Sequence, residues 1–110
     1  MIYTSYFAKS AKETNAVSIA RYAPSWFKGR EILDLAPKWS LVRAYKAKKI
    51  NDGDYTLLFN NILSKLDPNI FGKTLDGKIL LCWERPEKFC HRHLVSQWLR
   101  NAGFKAEEIK

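Results

Sequence analysis
The stretch GKILLCWERPEKFCHRHLVSQWLRNAG, residues 77 to 103, decides the fold. Gly77 opens KILLCW, an apolar run that is continuous rather than alternating. Alternation suits a sheet with one wet face, whereas a continuous run suits a strand covered by helices on both faces, as in a parallel sheet. Beyond it, Leu94, Val95, Trp98 and Leu99 share one side of a helix, and Gly103 supplies a stop signal. Between strand and helix, residues 80 to 99 collect two cysteines, two histidines, two arginines and two glutamates.

The same reading extends outward. IYTSYFA, from Ile2, alternates bulky with small or polar residues and predicts a strand. AKSAKETN reads as a loop, and AVSIARYAP as a second strand that stops at Pro24. SWFKGREILDLAPKW, broken by Gly29 and Pro37, predicts a long ligand-facing loop with at most short helical turns. In NDGDYTLLFNNILSKLDP, the residues Tyr55, Leu58, Phe59, Ile62, Leu63 and Leu66 form one helical stripe. Asp52 or Asp54 is expected to cap that helix, and Pro68 to forbid its continuation. FKAEEI, near the end, reads as a short last strand. The order predicts a small α/β sandwich of Rossmann-like character, with a short, mostly parallel sheet flanked by helices. In such sheets ligands collect at the carboxyl ends of the strands. The ends of the first two strands and the segment CWERPEKFCHR should meet there.

At 110 residues the chain is expected to form a single domain, 1–110. Two cysteines do not make a disulfide framework. They read as reduced, which suits a cytoplasmic protein. The opening MIYTSYFAKSAKE lacks the pattern of a secretion signal, and the longest apolar run, Ile79 to Trp83, is too short to span a bilayer. No membrane association is expected. The net charge is +8, and residues 21 to 49 hold eight Lys/Arg against Glu31 and Asp34. That concentration favours an anionic partner, either a nucleotide-like small molecule or nucleic acid.

The cluster admits several chemistries. Cys82, Cys90, His91 and His93 are zinc-type ligands. However, His91 and His93 lie about 200° apart around a helix, so both face one ion only if the helix starts later. There is also no C-x-x-C or H-x-x-x-H. Neither metal nor cofactor is expected. Cys90, at a helix N-terminus beside His91 and Arg92, has the surroundings of an activated thiolate. The cysteine-phosphatase pattern is rejected, because position 96, where its arginine belongs, is Ser96. A base for Cys90 would be His91, His93 or Glu84. The helix N-terminus, Arg92 and Arg21 would together hold phosphate or carboxylate. Ser5 and Tyr6 would add hydroxyls, and Tyr22, Trp26 and Phe27 would stack on a base. The plainer alternatives also stand: Glu84 pairs with Arg92 or Arg21, Cys82 packs as a small hydrophobe, and Trp39 and Tyr45 belong to the core.

Leu81-Cys82-Trp83-Glu84 followed by Cys90-His91-Arg92 resembles the signature of the family known as domain of unknown function 488 (DUF488). Tyr3-Thr4, Arg21 with Pro24, Leu35-Ala36-Pro37 and Tyr55 agree with it in order and spacing. One departure is Ile19-Ala20-Arg21, where the family often has Asp-Val-Arg, so the role of that aspartate is not carried by Ala20. The resemblance implies an α/β fold and a polar pocket around these motifs. It points loosely toward nucleotide or nucleic-acid metabolism and supplies no reaction. Two functional readings result. In the first, a nucleotide-related ligand, with chemistry on a nucleotide or modified base, occupies a pocket with Cys90, His91 and Glu84 as catalytic candidates. Ser5, Tyr6, Arg21, Trp26, Cys82 and Arg92 are its ligand-binding candidates. In the second, a basic module binds nucleic acid or protein through residues 21 to 49 and the motif is structural.

Overall fold
A computed structural model describes all residues, Met1–Lys110. Five strands form one sheet: β1 (Ile2–Tyr6), β2 (Ala16–Ser18), β3 (Arg30–Glu31), β4 (Ile79–Cys82) and β5 (Ala106–Glu108). Their order is β3-β2-β4-β1-β5, and every pairing is parallel. The helices are α1 (Phe7–Ser10), α2 (Trp39–Lys46), α3 (Asp52–Leu63), α4 (Pro68–Thr74) and α5 (His91–Asn101), with a 3-10 turn at Leu33–Leu35. The α/β class, with its parallel sheet between helices, is the one anticipated. No helix is long and apolar enough to cross a membrane.

Strand β4 explains why its sequence is apolar throughout. It is the central strand, and all four of its residues are buried. Leu80 joins the larger core with Phe59, Leu63, Val95 and Leu99. Ile79 and Leu81 point the other way, into a smaller core with Phe7, Ala16 and Ala20. Two apolar faces require two apolar sets, so alternation disappears. By the same parity Cys82 lies on the Leu80 side, the side covered by α5.

Elsewhere local detail departs from expectation. The first strand stops at Tyr6, and part of the expected loop is α1. The second strand is only three residues long, because Ile19 to Pro24 leave the sheet. The supposed loop from Ser25 to Trp39 contains β3 and the 3-10 turn, and α2 begins at Trp39. Helix α3 is capped by Asn51, not by Asp52 or by Asp54 alone. Asn51 Oδ1 accepts from Asp54 N–H (2.8 Å), while the Asp54 carboxylate accepts from Asn51 N–H (3.2 Å). This is a reciprocal capping box. Pro68 does not merely end α3: the helix has already stopped at Leu63, and Pro68 occupies the first turn of α4, where a missing N–H costs nothing. Gly103, at φ 95°, takes the left-handed position that closes α5, as expected.

Candidate functional site
A cavity of about 380 Å³ opens beyond the carboxyl ends of β2 and β4. That volume falls in the usual range for small-molecule sites, roughly 300–1,000 Å³. Ala20–Tyr22 follow β2 into it, Cys82 ends β4 with Trp83 and Glu84 following, and Cys90 caps α5, which begins at His91. Helices α2 and α3 close the far side with Trp39, Tyr45, Lys46 and Tyr55. Two of the three expected segments therefore meet. The end of β1 does not line the cavity.

Aromatic rings build the outer wall. Tyr45, Tyr55 and Phe89 lie 5.1–5.6 Å apart between ring centres, and Tyr22 meets Trp39 edge-on at 5.2 Å. Trp83 Nε1–H donates to Tyr22 O (2.7 Å) and ties the exit of β4 to that of β2. The Tyr45 hydroxyl donates to Asp52 Oδ1 (2.5 Å). This bond, with burial, raises the Tyr45 phenol above its ordinary value, and burial raises Tyr55 further. Both remain neutral hydroxyls at physiological pH.

The floor is the Cys/His cluster. Cys82 ends β4, Cys90 is the N-cap of α5 and His91 its first residue, all three buried. The two sulfurs, expected to be reduced thiols, lie within bonding distance of each other, on Cα atoms 7.5 Å apart, wider than the roughly 4.4–6.8 Å usual for bridged cysteines. Chain reversal from β4 into α5 brings these positions, eight residues apart, face to face, which spacing alone does not reveal. His91 Nε2–H donates to the Ile19 carbonyl (2.6 Å), because a carbonyl can only accept. That fixes the tautomer and turns the Nδ1 lone pair toward Cys90 Sγ, 3.8 Å away. Burial pushes His91 down to about 4, with the positive charges of Arg92 and His93 adding to the shift and the Ile19 carbonyl opposing it. His91 is neutral at pH 7 and offers an acceptor at Nδ1.

Arg92, expected to bind the ligand, lies behind the cavity floor. It is fully buried and does not line the cavity. Nε and Nη2 grip the Glu108 carboxylate (3.0 and 2.8 Å), and Nη1 donates to Glu84 O (2.6 Å) and to Cys82 Sγ (2.9 Å). The plainer alternative, satisfaction of buried polar groups, describes it, although the anionic partner is Glu108 in β5. Arg21 is different. It is half-buried on the cavity wall, held by one bond from Nε to Pro37 O (2.9 Å), with its remaining N–H groups uncommitted. Glu84 lies exposed at the rim.

Three other candidates lie elsewhere. Ser5 is fully buried and shares a hydrogen bond with Ser10 Oγ (2.7 Å). Tyr6 does not line the cavity, and Trp26 is exposed outside it. Lys46 and the aromatics Tyr45, Tyr55 and Phe89 were missed as site residues. Tyr55 sits in the apolar stripe of α3 and reads as core, which it also is.

The ion pair predicts an acid limb in stability. Burial alone would raise the Glu108 carboxyl, but hydrogen bonds from Arg92 and Thr4 outweigh it, helped by the charges of Arg92 and His93. The net result lies below the usual 4.5. A depressed carboxylate stabilises the fold fully above the unfolded value and loses that contribution as pH falls through the folded one. Chemical denaturation across pH 3–6 should show stability falling below about 4.5. Glu108→Gln should lower stability at neutral pH and flatten that limb; an unchanged limb would separate acid sensitivity from this pair.

A family model described as DUF488-N3a, the active DUF488-N3 subclade, matches residues 2–103. No curated protein and no solved structure matches the chain.

Proposed function
The chain belongs to the DUF488 family, and on that premise we propose that the cavity binds a nucleotide-like anion and acts on it or on a modified base. The observation that carries this reading is the composition of the wall. Aromatic faces and two cations, Arg21 and Lys46, surround a buried Cys/His floor. Rings accept the face of a base, and guanidinium and ammonium groups accept phosphate. Phosphate recognition thus belongs to Arg21 and Lys46, since the donors of Arg92 are spent on Glu108, Glu84 and Cys82. Glu84 at the rim suits a ribose or base donor, and Cys90 with His91 Nδ1 is the candidate reactive pair once the thiols are reduced.

The basic segment supports nucleic-acid binding less well. Lys46, Lys48 and Lys49 share their surface concavity with Asp52 and Asp54, which offset much of the local charge. The test is thermal stabilisation of the reduced protein by nucleosides, mononucleotides, dinucleotides and short oligonucleotides. Ligand at 100-fold its Kd should add about 2.7 kcal/mol. The double variant Arg21→Ala, Lys46→Ala should weaken a nucleotide by at least about tenfold, at roughly 1.5 kcal/mol or more per charged contact, and leave the matching nucleoside unaffected. Stabilisation by oligonucleotides alone, falling steeply with salt, would transfer function to the basic surface.

A further inference from the structure
We infer that reduced Cys82, reduced Cys90 and His91 form a binding site for one thiophilic divalent cation of the zinc class, with a fourth coordination position open to the cavity. The inference stands on these residues and does not require the cavity's ligand to be a nucleotide. Their ligand atoms, two sulfurs and an imidazole nitrogen, lie within 4.8 Å of one another, and all three residues are buried. Bond lengths of about 2.3 Å to sulfur and 2.0 Å to nitrogen would put two thiolates roughly 3.8 Å apart in a tetrahedral site. Small side-chain rotations reach that arrangement. The earlier objection, that His91 and His93 cannot face one ion, does not apply, because only His91 is in the cluster.

The backbone favours an ion between the sulfurs. The Cα atoms of Cys82 and Cys90 are 7.5 Å apart, beyond the roughly 4.4–6.8 Å usual for bridged cysteines. Disulfide and ion are alternatives, since the same sulfurs cannot serve both, so the ion belongs to the reduced chain.

The surroundings are those of a metal-binding histidine and thiolate. Ligating histidines give their other N–H to a carbonyl or carboxylate, and His91 gives Nε2–H to Ile19 O at 2.6 Å. Arg92 Nη1–H donates to Cys82 Sγ at 2.9 Å, which favours the thiolate that ligation needs. The positive charge of Arg92 is answered by Glu108, and two thiolates neutralise a divalent ion. Three protein ligands with an open fourth position distinguish catalytic zinc sites from closed structural ones. Here Cys82, Cys90 and His91 all line the cavity, so the open position faces it.

The experiment is a cobalt(II) titration of the full-length reduced protein without any nucleotide, paired with the same protein oxidised. One equivalent should bind to the reduced form, with a thiolate-to-cobalt charge-transfer band and the intense visible bands of four-coordination. Zinc should displace it. The oxidised form should show neither band. X-ray absorption of zinc-loaded wild-type protein should count two sulfurs and nitrogen or oxygen donors, so the proposal does not depend on a variant that folds. Cys82→Ser and Cys90→Ser should each abolish the two-sulfur signature, and His91→Ala should weaken binding by about tenfold or more. No binding above the oxidised control, or a spectrum without sulfur, overturns the site.

Discussion

Replacing Arg92 with alanine should unfold the chain or leave it barely stable, with a loss of about 3–5 kcal/mol from a total that for small domains is roughly 5–15 kcal/mol. Arg92 is the largest fully buried side chain, at 0% exposure, and its four hydrogen bonds connect β4, the loop after it, and β5. Truncation leaves Glu108, 21% exposed, without its counter-charge and with only the Thr4 hydroxyl as a side-chain donor, and it removes the Arg92 donor from the Glu84 carbonyl. The penalty is chiefly that of a mostly buried carboxylate deprived of its counter-charge, which exceeds the net value of the contacts themselves. Arg92→Lys should recover little, because an ammonium cannot span a carboxylate and a carbonyl in a planar fork. Urea denaturation of the two variants beside wild type measures this. If Arg92→Ala costs less than about 1 kcal/mol, the range of a surface ion pair, the pair has no structural weight. The same result governs how binding data are read. Loss of ligand by an Arg92 variant reports loss of fold, so only Arg21 and Lys46 test phosphate contact.

Phe59→Ala should cost a further distinct 3–5 kcal/mol, the usual order of about that size for removing a core phenylalanine. Phe59 is 0% exposed, stacks on Tyr55 with centroids 6.1 Å apart, and meets His91 edge-on at 5.4 Å. It therefore supports the core and the cavity floor together. Besides the lower urea midpoint, the variant should lose ligand or metal affinity even at temperatures where it remains folded, because His91 loses the ring that fixes its plane. Leu58→Ala is the internal control. Leu58 is adjacent in sequence and reads as part of the same stripe, yet it is 48% exposed. Its truncation should stay within about 0.5 kcal/mol. Equal losses at the two positions would mean that α3 is rotated from the orientation described.

That contrast shows where sequence patterns stop. The period of α3 identifies a helix with an apolar side, but the buried line is Tyr55, Phe59 and Leu63, narrower than the stripe. Helices α2 and α4 left weaker marks. The first is eight residues long with a single buried residue, Leu41, and the second contains Gly72 in its interior. Gly72 is there for packing: a Cβ would meet the Phe104 ring at 2.4 Å, a contact between segments 32 positions apart that no local propensity reflects.

The continuous apolar run of β4, the spacing of Leu94, Val95, Trp98 and Leu99, and the glycine at 103 were enough to place a parallel-sheet strand covered on both faces and the helix that follows it. Burial on one face or two is written as periodicity, so these elements are legible in the chain alone. The partners of the polar residues are not. Arg92 pairs with Glu108 from an edge strand, His91 with the carbonyl of Ile19, and Cys82 with Cys90 across a chain reversal. Periodicity records which side of an element avoids water, whereas a polar group's partner depends on distance and direction in three dimensions, which exist only once the sheet and its helices have packed.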